Sequence, residues 1–477
     1  RAHWGVIVTT LDGTTVYALD EGKLFRPAST AKLFTTAAAM DLLGPEHHFL
    51  TRVYGDVKDG AELVEGDLVL VGGGDPSFGT RDLPYRRETS TGTGNRDLQS
   101  LVDQLRAKGI RHIRGNVSAD DSLFRNEEAP QGWAAEDLLW SYGALPSALS
   151  FADNELALTV TAQGAELDQI TPLLSIKDLV STDPQISSTR SRISIQPVAG
   201  QPLQLLVQGH MGSASPAVVE HIAIPEPARY AASALRASLL ASGIQVDGAV
   251  EVVSAPPVVE QPFLEGLHSP GACDGAMAQG ESCAGSCAPV AHPGQIVAEH
   301  TSPPLQEEVA FTLKTSANLH AEVLLHQLAL ALNCSGVSTL DGARTLRSWL
   351  LRRGIADGDF LFYDGSGLST KDLVTPRAEV QLLAYAVTQP WFALWKAALP
   401  VGGVDGTLSS RFTQPPLKGR VFAKTGTLGE SRALAGYVVC ASGRELIFSI
   451  LVDDHLPGSS ADRTAMDGIV AAIAALN

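Results

Sequence analysis

The sequence predicts an α+β protein in which the two ends of the chain build one antiparallel sheet around a long insertion. Two β-rich runs, His3 to Thr10 and Thr14 to Asp20, flank the turn Leu11-Asp12-Gly13, a hairpin signal. Two more, Arg432 to Cys440 and Glu445 to Val452, flank Ala441-Ser442-Gly443 near the other end. Hairpin and terminal strands can share a sheet only if everything between them is inserted.

Size and composition allow this. At 477 residues the chain can bury several cores, and two or three domains are expected. With 44% hydrophobic and 18% charged residues it reads as a globular protein. A net charge of −17 argues against nucleic acid or an anionic membrane surface as partner. No apolar run reaches the roughly 20 residues of a membrane helix, so no transmembrane segment is expected. The chain begins at Arg1 without Met or signal peptide, as a mature or trimmed form would. Five cysteines are too few for a disulfide scaffold. Cys273, Cys283 and Cys287 cluster, which suggests one bridge and a spare thiol in an oxidising compartment. No pair among them has CxxC spacing, so a metal site with His268 and His292 is disfavoured.

Along the chain, Pro27 opens a helix whose apolar residues Leu33, Phe34, Ala37, Ala38 and Met40 have helical spacing up to Gly44. From about Gly55 the texture changes to short strands. Asp67 to Val71 is one, followed by Gly72-Gly73-Gly74-Asp75-Pro76. This glycine run lacks both phosphate-loop patterns and reads as a tight turn. Leu98 to Lys108 reads as a helix and His112 to Ser118 as a strand. Gly132 to Ala144 is an aromatic, acidic, loop-like stretch. Asp153 to Ile224 alternates like a small β-rich module. Pro225 to Ser242 returns to helix, then Gln245 to Val253 to strand. Ser254 to Pro293, rich in Pro, Gly, Ala and Ser, reads as a surface connection. Helices follow over Pro304 to Leu332, Thr339 to Arg353 and Pro376 to Val387, with one more after the terminal strands.

Three short motifs carry chemistry. Ser29 and Lys32, three apart, share a helix face at its positive end, where an amine can activate a hydroxyl. Ser316-Ala317-Asn318 places a second hydroxyl and an amide in a helical region. Lys424-Thr425-Gly426 follows a β-rich run, and Gly426 lets a substrate backbone approach an edge strand. Each is weak alone; their order in the chain is what counts.

With these motifs the chain resembles the class C low-molecular-mass penicillin-binding proteins, D-Ala-D-Ala carboxypeptidases/endopeptidases of peptidase family S13. Further stretches carry the resemblance: Gly72 to Pro76, Asp364-Gly365-Ser366-Gly367-Leu368-Ser369, Leu399 to Leu408, and Ala423 to Leu428. Ser29 and Ser316 lie 287 positions apart, far more than in class A β-lactamases, as this family's insertion implies.

The resemblance implies the serine β-lactamase/penicillin-binding fold, an antiparallel sheet with helices on both faces, plus two nested inserted domains. The expected bounds are 1–55 and 290–477 for the penicillin-binding domain, 56–152 and 225–289 for the first insert, and 153–224 for a β-rich domain within it. It implies a serine peptidase acting on peptidoglycan stem peptides that end in D-Ala-D-Ala, acylated covalently by β-lactams, needing no cofactor or metal, and located in the periplasm or secreted. The oligomeric state stays open. Ser29 would be the nucleophile. Lys32 would be its base, although the identity of the base stays open. Ser316 would relay a proton, and Asn318 would hold the substrate amide and Lys32. Lys424 and Thr425 would bind the terminal carboxylate, within a strand continuing through Gly426, Thr427 and Leu428. The N–H groups of Ser29 and Thr427 would form the oxyanion hole.

Asp137 and Tyr142 match the family's side-chain pocket, but Asp137 could equally cap a helix or pair with an Arg, and Tyr142 could be core. Thr370 stands where relatives carry Arg, with Lys371 next, and Ala317 where many carry Asp or Asn. Ser366 reads as structural. Other readings are a β-lactamase or esterase of the same fold, or a non-catalytic penicillin-binding scaffold.

Overall fold

The computed structural model describes residues 2–58, 62–79, 83–86, 95–169, 173–183, 192–198, 200–256, 262–268, 292–331, 335–456 and 458–476. Cys273, Cys283, Cys287 and Cys334 lie outside these residues, and Cys440 is a buried free thiol. Among the described residues no helix is long and apolar enough to cross a membrane.

The ends of the chain do share a sheet. Strands β1 (His3–Thr10) and β2 (Thr15–Leu19) form the hairpin, and β3 (Val421–Leu428), β4 (Ser431–Val439) and β5 (Glu445–Asp453) complete an antiparallel sheet of order β3-β4-β5-β1-β2. Its register pairs Val6 with Ile450 and Thr427 with Arg432. The central strands β4 and β5 are buried at all but two positions each because both faces are covered. On one face α1 (Ala31–Leu42) and α2 (Pro376–Val387) bury Leu33, Phe34, Leu382 and Leu383 with Ala433, Ala435 and Ile447. On the other α3 (Ala461–Leu476) buries Met466 and Val470 with Leu434, Val438 and Phe448. The Lys-Thr-Gly edge is therefore held rigidly from both sides.

A second sheet joins Leu50–Gly55 and Gln295–Thr301, antiparallel, to the parallel strands Leu68–Val71, Val117–Asp120 and Val250–Val253. Helices Arg96–Ala107 and Pro227–Ala241 pack into its core. The alternating region from 155 to 223 forms two three-stranded sheets.

Three expected elements are interrupted. His112 to Ser118 is two strands, His112–Ile113 and Val117–Asp120, and Gln245 to Val253 is also two, Gln245–Val246 and Val250–Val253. Each crosses from one sheet to the next through a glycine. A Cβ at Gly115 would lie 2.3 Å from Asp67 Oδ1, and at Gly248 2.3 Å from Asn116 Oδ1. Pro304 to Leu332 is likewise two helices, Leu305–Thr315 and Asn318–Leu330. Between them Ser316 takes a left-handed conformation at φ 65°, which ends a helix and turns the next one.

The glycine run after Val71 forms a packing junction with no helix following it. A Cβ would lie 2.2 Å from Ala148 O at Gly72 and 2.0 Å from Leu50 O at Gly73. Gln327 Nε2 donates to Gly73 O and Gly74 O, at 2.7 and 2.9 Å, tying the junction to the helix that Asn318 begins. Gly73→Ala is expected to cost about 1–3 kcal/mol, the usual range for overpacking against fixed backbone. The midpoint of urea denaturation measures it.

Candidate active site

The Ser29 turn is a 3₁₀ turn, Ala28–Thr30, that runs directly into α1. Gly426 of β3 passes so close that a Cβ there would lie 2.6 Å from Pro27 O. The glycine thus sets the spacing between the serine turn and the sheet edge.

Lys32 and Lys424 are both fully buried, while Ser29, Ser316 and Asn318 are partly exposed. Lys32 Nζ has three oxygen neighbours: Ser29 Oγ at 3.0 Å, Asn318 Oδ1 at 2.6 Å and Ser366 O at 2.7 Å. The last two can only accept. They take two N–H bonds, so a neutral amine would aim its lone pair at the Ser29 hydroxyl. Burial pushes Lys32 down to about 7, opposed by the Asp364, Glu322 and Asp372 carboxylates. Lys424 Nζ donates to Ser316 Oγ at 2.9 Å and to Thr425 O at 2.7 Å. Burial, and then the neighbouring Lys32 charge, hold Lys424 well below the usual lysine range.

The three motifs converge because separate elements deliver them. Asn318 opens its helix, and its Nδ2 donates to Tyr142 O at 2.8 Å. Lys314, half a turn before the bend, donates to Leu399 O and Asp405 and so fixes the Leu399 to Leu408 loop. That loop brings Thr407 Oγ1 within 2.8 Å of Thr425 Oγ1. Thr427 is exposed and Leu428 half-buried at the end of β3 that turns into β4.

The acidic stretch from Gly132 to Ala144 covers one side of the site. Tyr142 is 46% exposed, so it is not core, and its hydroxyl donates to Asp137 Oδ1 at 3.0 Å. Asp137 also accepts from Ala134 N at 3.3 Å. Thr370 does not reach this pair; its hydroxyl donates to Gly132 O at 2.9 Å. Lys371 donates to Gln131 Oε1 at 3.1 Å and lies 5.4 Å above the Tyr363 ring.

Sequence reasoning missed the floor. Asp364 accepts from the backbone N–H groups of Ser366, Gly367 and Ser369, and from Trp133 Nε1. Glu322 accepts from Gly365 N and Ser366 N. Asp372 accepts from Tyr363 N. All three are fully buried. Burial and the neighbouring Asp364 charge raise Glu322 to about 8 and Asp372 well above the carboxylate range. Glu322 had a readable signal: a carboxylate one turn after Asn318, in a helix otherwise mostly apolar.

Residues 1–270 and 279–476 match the model of the D-Ala-D-Ala carboxypeptidase 3 (S13) family. The chain is 32% identical over 456 residues to the D-alanyl-D-alanine carboxypeptidase of Actinomadura sp. strain R39, covering 94% of this chain and 77% of that one. It is 25% identical over 470 residues to D-alanyl-D-alanine carboxypeptidase DacB of Haemophilus influenzae, covering 96% and 87%. Among solved structures, penicillin binding protein 4 (dacB) from Haemophilus influenzae superposes with a TM-score of 0.79 at 23% identity, covering 99% of this chain and 96% of that one.

Proposed function

The chain belongs to the D-Ala-D-Ala carboxypeptidase 3 (S13) family, and on that footing we propose that it is a serine DD-peptidase with Ser29 as nucleophile. One observation carries the assignment: the buried Lys32 amine, pinned by two acceptors and directed at Ser29 Oγ.

The substrate is a peptidoglycan stem peptide ending in D-Ala-D-Ala, laid along the open edge of β3. Ser29 Oγ attacks the penultimate D-Ala carbonyl as its proton passes to Lys32. The N–H groups of Ser29 and Thr427 stabilise the oxyanion, each worth about 2.7–4 kcal/mol in such a site. Ser316, bonded to Lys424, protonates the leaving amine. Lys424 and Thr425 hold the terminal carboxylate, and Asn318 holds the substrate amide. Water then releases the acyl group.

The same steps cleave a crosslink when the amine of a neighbouring stem peptide replaces the terminal D-Ala as leaving group. A β-lactam completes the first step, but its leaving group stays attached and the acyl-enzyme persists. Asp137 and Tyr142 form one wall of the stem-peptide side-chain pocket. Thr370 offers no cation where relatives carry Arg, so Lys371 or an amidated side chain supplies the difference. The nested domain bounds expected from the sequence belong to this reading, as does a site of action in the bacterial cell envelope.

Incubation with a penicillin is expected to add one penicillin mass to the protein, carried by the tryptic peptide Leu24–Lys32. The enzyme is also expected to release D-Ala from an acetylated stem pentapeptide. A label on any other peptide would overturn the nucleophile assignment. D-Ala release without cleavage of dimeric muropeptides would remove the endopeptidase part.

A further inference from the structure

Glu379 lies in the first turn of α2, fully buried beneath the Ser29 turn, and has no part in the chemistry above. Its Oε1 is 2.5 Å from Thr30 Oγ1, and its Oε2 is 2.6 Å from Ser449 Oγ on β5. Thr30 Oγ1 is also 2.8 Å from Pro27 O. A carbonyl oxygen only accepts, so the single Thr30 hydroxyl hydrogen belongs to Pro27 O. The hydrogen between Thr30 and Glu379 must then come from the carboxyl group, while Ser449 donates to the other oxygen. The count closes for a carboxylic acid. For a carboxylate it leaves two oxygens in close contact with no hydrogen between them.

The surroundings agree. Thr30 and Ser449 are the side chains that act on this carboxyl, and no charged group does so from α2, β1, β4, β5 or the Ser29 turn. Burial alone drives it toward the neutral form, at about 7.

The turn above it needs holding. Ala28 sits at φ 47°, a left-handed conformation costly for a residue with a Cβ. Gly367 presses on the turn from one side, where a Cβ would lie 1.8 Å from Ala28 O, and Gly426 from another. We propose that Glu379, as a neutral carboxylic acid, is a positioning residue for acylation, clamping Thr30 to Ser449 and so fixing the Ser29 turn on the central sheet. The inference rests on Ser29 being the nucleophile.

Two variants test it, read by the rate of labelling with a fluorescent penicillin. Glu379→Gln offers an N–H to Thr30 and an oxygen to Ser449, so it is expected to label at close to the wild-type rate at pH 6. Glu379→Leu keeps bulk and loses both bonds, and is expected to label about ten- to a hundredfold more slowly, as displaced nucleophiles do. The Gln side chain cannot ionise, so the ratio of Glu379→Gln to wild type should rise as pH passes about 7. A role in bulk packing alone would not move that ratio with pH.

Stability supplies a readout independent of Ser29. The raised acid adds stability that is complete below its unfolded value of about 4.3. That contribution is lost as pH climbs through its folded value of about 7. The Tm of Glu379→Gln relative to wild type is therefore expected to rise between pH 5 and 8. A Gln variant as slow as the Leu variant, or a rate ratio and Tm difference both flat with pH, would overturn the clamp. Failure of wild type to label on Leu24–Lys32, with the Tm difference still rising, would instead overturn the nucleophile reading.

Discussion

Lys32→Met is expected to slow acylation by penicillin about 10²–10⁴-fold, the usual contribution of a placed general base. Methionine nearly matches the lysine stem and suits a dry site, so the loss should fall on the chemistry; thermal unfolding of the variant checks that the fold remains. The physical basis is the conflict that Lys32 resolves. An ammonium there would be satisfied by three oxygens, but burial strips it of water, and that loss outweighs the pull of the three acidic groups facing it, leaving the amine at about 7. Near neutral pH a sizeable share of the molecules thus holds a free lone pair directed at Ser29 Oγ, 3.0 Å away. Read in Glu379→Gln, whose clamp does not titrate, the acylation rate should therefore climb about tenfold per pH unit below that value and level off above it. Stopped-flow labelling between pH 5 and 9 gives the profile. A rate that falls as pH rises would mean that Lys32 acts as an ammonium and that another group takes the serine proton.

Much of this site was legible because its chemistry lies in short local patterns. Ser29 and Lys32 share a helix face whatever surrounds them, and a lysine followed by Gly426 on an edge strand has meaning without coordinates. The hairpin of β1 and β2 and the pairing of β4 with β5 follow from alternation and turn residues. What stayed hidden depends on contacts across the chain. The bend at Ser316 interrupts an apolar run that looks continuously helical, because the site needs both its hydroxyl and the start of a new helix at Asn318. The breaks at Gly115 and Gly248 are set by the neighbouring crossovers at Asp67 and Asn116, and alternation does not stop there. Glu379 meets Thr30 from 349 positions away, and no local pattern marks either as a partner.

The carboxylate floor makes the second large effect, this time on stability. Asp364→Ala is expected to cost about 3 kcal/mol or more, since each donor left without a partner in a dry interior costs about 1–3 kcal/mol. Three donors lose the acceptor they have, Trp133 Nε1 at 2.8 Å and Gly367 N and Ser369 N at 2.7 Å, whereas Ser366 N, 3.1 Å from Asp364, keeps its 2.8 Å bond to Glu322. An opposing gain exists, because the change removes a negative charge beside Glu322 and Asp372. That gain is limited, since both of those groups already lean toward their neutral forms. Asp364→Asn separates charge from bonding: its oxygen can satisfy some of the donors, but its NH₂ faces the others donor to donor. It should therefore fall between wild type and Asp364→Ala in urea denaturation. The loop also supplies Ser366 O to Lys32 at 2.7 Å, so even the folded fraction of Asp364→Ala should label more slowly. Denaturation of Asp364→Ala at the wild-type urea midpoint would mean that the Gly365–Ser369 turn stands without its carboxylate. The aim of Lys32 would then rest on the helix of Asn318 alone.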